Sequence, residues 1–299
     1  MDEQLKDLLH LLTLERIEAN IFRGESRDIG SAQVFGGQVL GQALSAAQQT
    51  VEDRQAHSLH AYFLRRGDMQ APIVYEVDHQ RDGRSFSVRR VVAIQHGRPI
   101  FNMAASFQVV EEGLEHQWDM PEVDGPENLL SSAELSEQFR DLIPQKMRRF
   151  LDKNIPVEFR PVAPEHYLTN KPLPPVKRTW MRIKGELPDD PDLHRSLLAY
   201  MSDYELLGTV TLPHGLPFGQ GKVQMASLDH AIWFHRPFRA DEWMLCDFDS
   251  PSSSGARGLA RARIYAESGA MIASTSQEGL VRLWDSSKPE TGAPPSEQA

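Results

Sequence analysis

Two long helical runs, each accompanied by a series of strand-like runs, organise the pattern of hydrophobic and polar positions. Residues 4–12 predict a short helix, residues 14–26 a strand with Ile17, Ala19 and Ile21 on one face, and residues 34–50 a long helix. Four runs with β-branched or aromatic residues and period-two alternation then predict strands over 57–67, 72–83, 85–97 and 99–110. The long helix is rich in glycine, which costs about 1 kcal/mol relative to alanine inside a helix. We therefore expect its backbone to approach a neighbour closely, as a helix buried in a curved sheet would.

The same order of elements returns in the second part of the chain. Strand-like runs cover 157–162 and 177–187, a helical run covers 188–208, and four more strand-like runs cover 226–238, 242–252, 255–269 and 270–284. Two pairs of short segments are also similar: SLHAYFLRRG near residue 60 resembles SLDHAIWFHRP near residue 230, and MAASFQ ending at Gln108 resembles ASTSQ ending at Gln277. The offset of about 170 residues is too long for a solenoid repeat and predicts a duplicated domain.

We predict an α+β fold in which two antiparallel sheets, each wrapped around a long helix, join edge to edge into one continuous sheet. The first half spans residues 1–111 and the second half spans residues 156–285. Residues 112–155 form a linker, acidic and weakly periodic at first, which then predicts a helix interrupted at Pro144. Residues 286–299 are polar and proline-rich, and we expect a disordered tail there.

Composition narrows the compartment and the partners. The chain has 299 residues, of which 40% are hydrophobic and 25% charged, as in ordinary globular proteins. Its 42 acidic and 32 basic residues give a net charge of −10, which argues against a general nucleic-acid binder but permits a local basic pocket. Cys246 is the only cysteine, which excludes an intrachain disulfide and a cysteine-rich zinc site. No secretory signal and no apolar run near the roughly 20 residues of a membrane span is present, so we expect a cytoplasmic protein.

The helical run 188–208 contains one residue that helix formation does not explain. Asp190 and Pro191 suit the start of a helix, and Gly208 suits the left-handed residue beyond its end. Asp203 has only uncharged neighbours three and four positions away along the helix: Ala199, Tyr200, Leu206 and Leu207. A carboxylate at the edge of a packed face needs partners or has a chemical role. From the helix alone, a structural Asp bonded to a nearby amide and a catalytic Asp are equally open.

Other polar residues stand in strands where they need an explanation. Ser227 begins the strand after the helix and, by alternation, is predicted to share a face with Asp229, Ala231 and Trp233. Gln277 lies in the last strand, where a cross-strand hydrogen bond is the simpler explanation when the residue is taken singly. The SSSGAR run at 252–257 is open to two interpretations, a β-hairpin turn and a phosphate contact.

Several common catalytic and metal-binding motifs do not occur in the sequence. There is no glycine-rich lysine loop for phosphate and no G-x-S-x-G nucleophile elbow. His57 and His60 are three residues apart on a predicted strand, so we expect them to face opposite sides of the sheet rather than chelate a metal. We predict neither a metal ion nor a cofactor.

Long segments of the chain resemble the acyl-CoA thioesterase II family, whose members have a double-hotdog fold. The resemblance is carried by VFGGQVLGQAL, HSLHAYFLRRG, PDDPDLHRSLLAYMSDYELL, SLDHAIWFHRPF, SSSGARG and STSQEG, in this order within residues 8–283. In that family an Asp on the second-half helix, a Thr or Ser opening the next strand and a Gln in the last strand bind a water and direct it at the thioester carbonyl. The resemblance therefore implies Asp203, Ser227 and Gln277 as catalytic residues, with Ser227 at the position where better-known bacterial members have Thr.

The resemblance also implies an enzyme of fatty acid metabolism that hydrolyses fatty acyl-CoA to free fatty acid and CoA. Asp203 would act as general base or would orient the water, and partial burial should raise its pKa. The CoA phosphates would meet Gly255, Ala256 and Arg257, and His57 is a secondary candidate for substrate binding. The first-half helix has no Asp in VFGGQVLGQAL, so we expect one working site per chain.

Two alternative functions stay open at this point. A hotdog enoyl-CoA hydratase pairs an Asp with a His, but His194, on the same helix as Asp203, lies more than two turns away. A non-catalytic acyl-CoA-binding protein would bind the same ligand without turnover. All three functions have acyl-CoA as the partner, without nucleic acid and without a membrane span. Members of the family form dimers or tetramers, so we expect a homodimer or homotetramer.

Overall fold

The computed structural model describes residues 2–27, 33–143, 148, 155–216 and 223–283. Its helices are α1 (Glu3–Leu12), α2 (Gly36–Gln48), α3 (Ser132–Gln138), α4 (Glu165–Leu168) and α5 (Pro191–Ser202), with 3₁₀ helices at Pro126–Asn128 and Leu207–His214. Its strands are β1 (Glu15–Glu18), β2 (Ile21–Gly24), β3 (Gln55–Phe63), β4 (Ile73–Asp82), β5 (Phe86–Gln95), β6 (Arg98–Gln108), β7 (Val157–Pro161), β8 (Val176–Ile183), β9 (Val223–Ser227), β10 (Asp229–Phe234), β11 (Met244–Ser254), β12 (Arg257–Ala266) and β13 (Met271–Leu283). The predicted helix break at Pro144 and the predicted tail at 286–299 lie outside the described residues.

All thirteen described strands belong to one antiparallel sheet. The strand order is β1-β2-β4-β5-β6-β3-β10-β13-β12-β11-β8-β7, and β9 pairs with the far end of β13. The two halves meet where β3 pairs with β10, with His60 opposite Ala231. This pairing confirms the predicted joining of the two sheets, edge to edge, into one continuous sheet.

The two long helices α2 and α5 pack against each other, and the glycines of α2 make their close approach possible. A Cβ on Gly37 would lie 2.3 Å from the backbone oxygen of Tyr200, and a Cβ on Gly41 would lie 2.9 Å from that of Ser196. The predicted close approach is thus confirmed, and the neighbour is the second helix as well as the sheet. One apolar core joins both helices to the inner faces of both halves.

The linker covers the outer face of the second-half sheet. Trp180 Nε1 donates to the Asp124 oxygen at 2.9 Å, and Arg160 Nη1 donates to the Pro126 and Leu129 oxygens at 2.8 and 3.1 Å. Apolar side chains of the linker pack on an outer cluster of the sheet formed by Trp180, Leu245 and Tyr265. These contacts explain how the weakly periodic first part of the linker is held against the sheet.

Two predicted elements differ from the structure. Residues 14–26 form a hairpin, β1 and β2, because the chain turns at Ala19 and Asn20, and Ile17 is therefore half exposed rather than packed. The helix predicted over 188–208 ends at Ser202, and Gly208 lies within a 3₁₀ helix rather than at the helix end. The left-handed backbone in this turn belongs to Glu205, whose φ is 63°.

Candidate active site

Asp203 stands at the C-terminal end of α5, on the inner side of the sheet. The helix begins as its sequence predicts: Asp190 accepts hydrogen bonds from the backbone N–H groups of Asp192 and Leu193, and Pro191 occupies the first turn. At the other end, Asp203 is the capping residue, and only 6% of its side chain is exposed. The prediction that this carboxylate belongs to a packed face is confirmed.

The turn that follows Asp203 is held by a buried ion pair. Glu205 adopts the left-handed conformation, and its carboxylate accepts from Lys177 Nζ at 2.9 Å, Thr179 Oγ1 at 2.9 Å and Tyr167 OH at 2.5 Å. The side chains of Lys177 and Glu205 are only 7% and 4% exposed. A left-handed non-glycine residue is unfavourable by itself, so these bonds fix where α5 stops and where Asp203 points.

Both halves of the chain supply hydrogen bonds to Asp203. Gln277 Nε2 of β13 donates to Asp203 Oδ1 at 2.7 Å, and the backbone N–H of Gly37, in the first turn of α2, also donates to this carboxylate. Gln277 is fully buried on the same face of β13 as Ala273 and Thr275, as its alternation predicts. The structure therefore brings together Asp203 and Gln277, which lie far apart in the sequence.

Aromatic and aliphatic side chains pack around the end of α5 that carries Asp203. Phe35 packs on Tyr200 and Tyr204 with ring centroids 5.4 and 4.5 Å apart, and the two tyrosine hydroxyls lie 3.0 Å from each other. Ala199 and Leu206, four and three residues from Asp203, are fully buried. This burial raises the pKa of Asp203 from 3.8 to about 6, while the hydrogen bonds from Gln277 and Gly37 act in the opposite direction. Near neutral pH, the residue is an ionised carboxylate that can still accept a proton.

His230 is a component of the site to which the sequence alone assigns no role. It is fully buried on β10, and its Nδ1 lies 3.9 Å from Asp203 Oδ1 and 3.1 Å from Gln277 Nε2. Its Nε2 lies 2.9 Å from Ser202 Oγ and 3.1 Å from Thr275 Oγ1. Burial lowers the pKa of His230 to about 3, so the imidazole is neutral. The only signal in the sequence is a His within an otherwise apolar run, and such a residue is ordinarily structural.

Ser227 lies on the face of the sheet opposite to the predicted one. In β9 it is opposite Gly279 of β13, whereas in β10 Ala231 is opposite Ser276, so the register shifts by one residue between the two strands. A β-bulge of this kind reverses the alternation. Ser227 consequently shares the inner face with Gln277, and the predicted grouping with Asp229, Ala231 and Trp233 is wrong. Ser227 is half-buried.

The predicted phosphate-binding residues form a tight turn between β11 and β12. Gly255 and Ala256 both have left-handed backbones, with φ of 57° and 58°, which is typical of a two-residue hairpin. Arg257 is half exposed, and its Nε donates to Glu278 Oε1 at 3.0 Å. The hairpin interpretation is thus observed, and Arg257 is paired with Glu278 while about half of its side chain is exposed.

His57 lies away from Asp203. It sits at a bulge in β3 and its Nε2 is 2.8 Å from Ser106 Oγ, with the ring edge-on to Phe86 at 5.7 Å. Because Ser106 and Phe86 belong to the outer face of the sheet, His57 does as well. The bulge also places it on the same face as His60, contrary to the prediction. The structure therefore does not bring His57 to the candidate active site.

No metal-binding group is found within the described residues. No cluster of three or more His, Cys, Asp or Glu side chains in these ranges could hold a metal ion.

None of the helices described is long and apolar enough to cross a membrane.

Comparison with known proteins places the chain in a family. Residues 151–280 match the family model described as acyl-CoA thioesterase, and residues 23–108 match the model described as acyl-CoA thioesterase N-terminal domain. Acyl-CoA thioesterase 2 of Haemophilus influenzae is 44% identical over 284 residues, covering 95% of this chain and 99% of that protein.

Solved structures agree with the sequence comparison. The crystal structure of the acyl-CoA thioesterase II TesB2 from Mycobacterium marinum matches with a TM-score of 0.76 and 42% identity, covering 93% of this chain and 99% of that chain. A protein of unknown function with a hot dog fold from Alicyclobacillus acidocaldarius matches with a TM-score of 0.74 at 17% identity, covering 92% and 98%, and shows the likeness of fold alone. The chain has the double-hotdog fold and belongs to the acyl-CoA thioesterase II family, a family of thioester-hydrolysing enzymes.

Proposed function

We propose that the protein hydrolyses fatty acyl-CoA to a free fatty acid and CoA, using a water held by Asp203, Ser227 and Gln277. The observation that carries this proposal is the environment of Asp203. Its carboxylate is buried, is bonded by Gln277 Nε2 at 2.7 Å, and has a pKa raised to about 6. Such a group is suited to accept a proton from water near neutral pH.

The reaction needs no strong protein nucleophile, because a thiolate is a good leaving group. The water oxygen attacks the thioester carbonyl carbon while Asp203 takes one of the water protons. The tetrahedral intermediate then collapses, the carbon–sulfur bond breaks, and the proton on Asp203 passes to the CoA sulfur. The Ser227 hydroxyl and the Gln277 side chain orient the water, which removes much of the entropic barrier to attack.

The CoA end of the substrate is assigned to the β11–β12 turn. Arg257 has a half-exposed guanidinium beside Gly255 and Ala256, and its charge is suited to a phosphate. Arg257→Ala should raise KM for acyl-CoA with little change in kcat. Arg261→Ala is the matched control, because Arg261 of β12 is equally exposed and also paired with a carboxylate, that of Asp249. Equal effects of the two substitutions on KM would remove Arg257 from the binding site.

The basic test is the release of free thiol from palmitoyl-CoA by the purified protein. We expect turnover in the wild type and a loss of about 10²- to 10⁴-fold in Asp203→Asn, the range of general-base catalysis. Ser227→Thr should keep activity and Ser227→Ala should lose it, because the role requires one hydroxyl. A folded wild-type protein that turns over no acyl-CoA of any chain length would refute the proposal.

The alternative functions have distinct outcomes in the same experiment. His230 and Asp203 form the Asp–His pair that a hydratase would need, with 3.9 Å between Nδ1 and Oδ1. The nitrogens of His230 are, however, occupied by Ser202, Thr275 and Gln277. Hydration of enoyl-CoA without thiol release would favour the hydratase, and tight acyl-CoA binding without either reaction would favour a non-catalytic binding protein.

We further infer a cytoplasmic homodimer or homotetramer, in which residues 1–111 and 156–285 act as two hotdog units joined by the linker 112–155. The single cysteine, Cys246, fits a reducing compartment. Tyr62 and Trp233 are 58% and 37% exposed on the outer face at the junction of the halves, where a second copy would cover them. Sedimentation of the purified protein tests the oligomeric state.

A further inference from the structure

His230 occupies the centre of a buried chain of hydrogen bonds that ends at Asp203. The chain runs from the backbone oxygen of Ala199 through Ser202 Oγ at 2.9 Å, and from Ser202 Oγ to His230 Nε2 at 2.9 Å. It continues from His230 Nδ1 to Gln277 Nε2 at 3.1 Å and from Gln277 Nε2 to Asp203 Oδ1 at 2.7 Å. Thr275 Oγ1 lies 3.1 Å from His230 Nε2 as a side branch.

The first bond of the chain sets the tautomer of His230. Because Ser202 Oγ gives its single proton to the Ala199 oxygen, it accepts a hydrogen bond from His230 Nε2–H. Nδ1 of a neutral imidazole then carries no proton and is an acceptor. The partner of Nδ1 is Gln277 Nε2, which is a donor. Ser202 is therefore not an activated nucleophile, since its proton points away from His230.

With His230 Nδ1 as an acceptor, the Gln277 side-chain amide can adopt only one orientation. Both protons of Nε2 are used, one on His230 Nδ1 and one on Asp203 Oδ1. The other end of the amide, Oε1, is buried and has no hydrogen-bond partner among the described residues. A flipped amide would place Oε1 at 2.7 Å from the carboxylate oxygen and beside the lone pair of Nδ1, which are two repulsive contacts. A buried acceptor without a partner costs free energy unless a ligand satisfies it.

We propose that His230 is a positioning residue that fixes the Gln277 amide, so that Nε2 faces Asp203 and Oε1 is left to accept a hydrogen bond from the attacking water. The inference rests on the proposed function and concerns a residue that touches none of the reacting atoms. His230 acts only through Gln277, because its Nδ1 disfavours the flipped orientation of the amide. In that orientation the water would have no acceptor at Gln277, and Asp203 would have no donor.

The role requires a neutral imidazole, because a protonated ring has no acceptor at Nδ1. The groups facing His230 are Asp203 at the end of α5, Ser202 on the same helix, and Thr275 and Gln277 on β13. Only Asp203 among them titrates in the neutral range. Burial lowers the pKa of His230 to about 3, which keeps the ring neutral at any pH at which Asp203 is ionised.

Two substitutions separate the two nitrogens of His230. His230→Asn retains an amide oxygen near the position of Nδ1, and His230→Gln places its amide near the position of Nε2. We expect His230→Asn to keep kcat close to the wild-type value and His230→Gln to reduce kcat by about 100-fold with an unchanged KM, the size of effect expected for a misplaced reacting group. Equal losses in the two variants, or a loss that follows their melting temperatures, would contradict the proposal.

A double-mutant cycle distinguishes positioning from a merely structural role. In a Gln277→Ala background, His230→Gln should cause no further loss of kcat, because the residue through which His230 acts is gone. The same 100-fold loss in both backgrounds would overturn the proposal. The outcome is separate from that of the proposed function, which fails if the wild type has no thioesterase activity or if Gln277→Ala alone is fully active.

A third measurement uses the wild-type protein and does not depend on any variant folding. The long-range proton–nitrogen NMR spectrum of the imidazole rings reports which nitrogen carries the proton. We expect the His230 signal to show protonated Nε2 and unprotonated Nδ1 at pH 6 to 9, without titration. A signal from protonated Nδ1, or from the imidazolium, would refute the assignment.

Discussion

Gly36 lies against Asp203: a Cβ on Gly36 would come within 2.7 Å of Asp203 Oδ2 and within 2.9 Å of Phe63 Cε1. Gly36 begins α2 in the first half of the chain, and Asp203 ends α5 in the second half. The next residue, Gly37, donates its backbone N–H to the same carboxylate. The N-terminal end of the first-half helix therefore forms one wall of the candidate site, and the two halves build the site together.

We predict that Gly36→Ala reduces thioesterase activity by about 100-fold, because the new methyl group displaces the Asp203 carboxylate. Helix propensity favours alanine over glycine by about 1 kcal/mol, so the loss of activity should exceed any loss of stability. Gly208→Ala is the control, since a Cβ at Gly208 would meet nothing within 4 Å. Thiol release and thermal unfolding of the two variants test this, and normal activity in Gly36→Ala would contradict it.

The raised pKa of Asp203 predicts a pH-dependent stability difference between the wild type and Asp203→Asn. The folded-state pKa of about 6 exceeds the ordinary value of 3.8, so the folded protein binds the proton more tightly than the unfolded chain does. Stability from this group is therefore present below pH 4 and is lost as the pH rises to about 6, by about 3 kcal/mol. Above pH 6, Asp203→Asn should be the more stable protein, and below pH 4 the difference should vanish. Denaturant unfolding at several pH values measures the difference in the free energy of unfolding between the two proteins. A difference that does not change with pH would contradict the prediction.

Activity should follow the ionisation of the same carboxylate. Because the general base must be unprotonated, kcat/KM for acyl-CoA should rise with pH and level off above the Asp203 pKa of about 6. His230 contributes no inflection in this range, since its pKa lies near 3. A pH–rate profile between pH 5 and pH 8 provides the test. A rate that is constant across this range would show that Asp203 does not accept the proton in the rate-limiting step.

Gln277→Glu should move the inflection of the pH–rate profile to higher pH. The substitution places a second carboxylate about 2.7 Å from Asp203 Oδ1, and like charges at this distance raise the pKa of the pair. We expect lower activity at pH 7 and partial recovery at higher pH. Gln108→Glu is the matched control, because Gln108 ends β6 facing away from the helices and bonds to Glu111. An unchanged profile in Gln277→Glu would argue against direct coupling.

Removing one partner of the buried Lys177–Glu205 ion pair should strongly destabilise the protein. Glu205→Gln leaves the buried Lys177 charge without its counter-ion, which costs about 3–5 kcal/mol. The double variant Lys177→Met, Glu205→Gln should be more stable than either single one. Asp249→Asn, which breaks the exposed pair with Arg261, should cost less than about 1 kcal/mol. Thermal unfolding compares them, and equal effects at the two sites would contradict the argument.

Local sequence patterns predict most of the helices and strands and one residue of the candidate active site, Asp203. Alternation in β3 to β6 and the Asp190–Pro191 start of α5 are properties of short stretches, and they appear in the structure as predicted. Asp203 was identifiable because its neighbours on one helix carry no charge. Conversely, alternation does not predict the turn at Ala19 and Asn20, since a single Asn in an alternating run only weakly indicates a turn.

The sequence by itself determined the two halves, their sheets and helices, and the position of a carboxylate on a packed face, because these follow from periodicity within a few turns or strands. The tertiary structure decided which residues contact the Asp203 carboxylate. One extra residue between β9 and β10 moves Ser227 to the inner face, and one in β3 moves His57 to the outer face. The Gly37 N–H and the imidazole of His230 reach Asp203 and Gln277 only after the helices have packed and the strands have paired. Periodicity carries no information on a bulge or on a hydrogen bond between distant segments, since both are set by the packing of the whole chain.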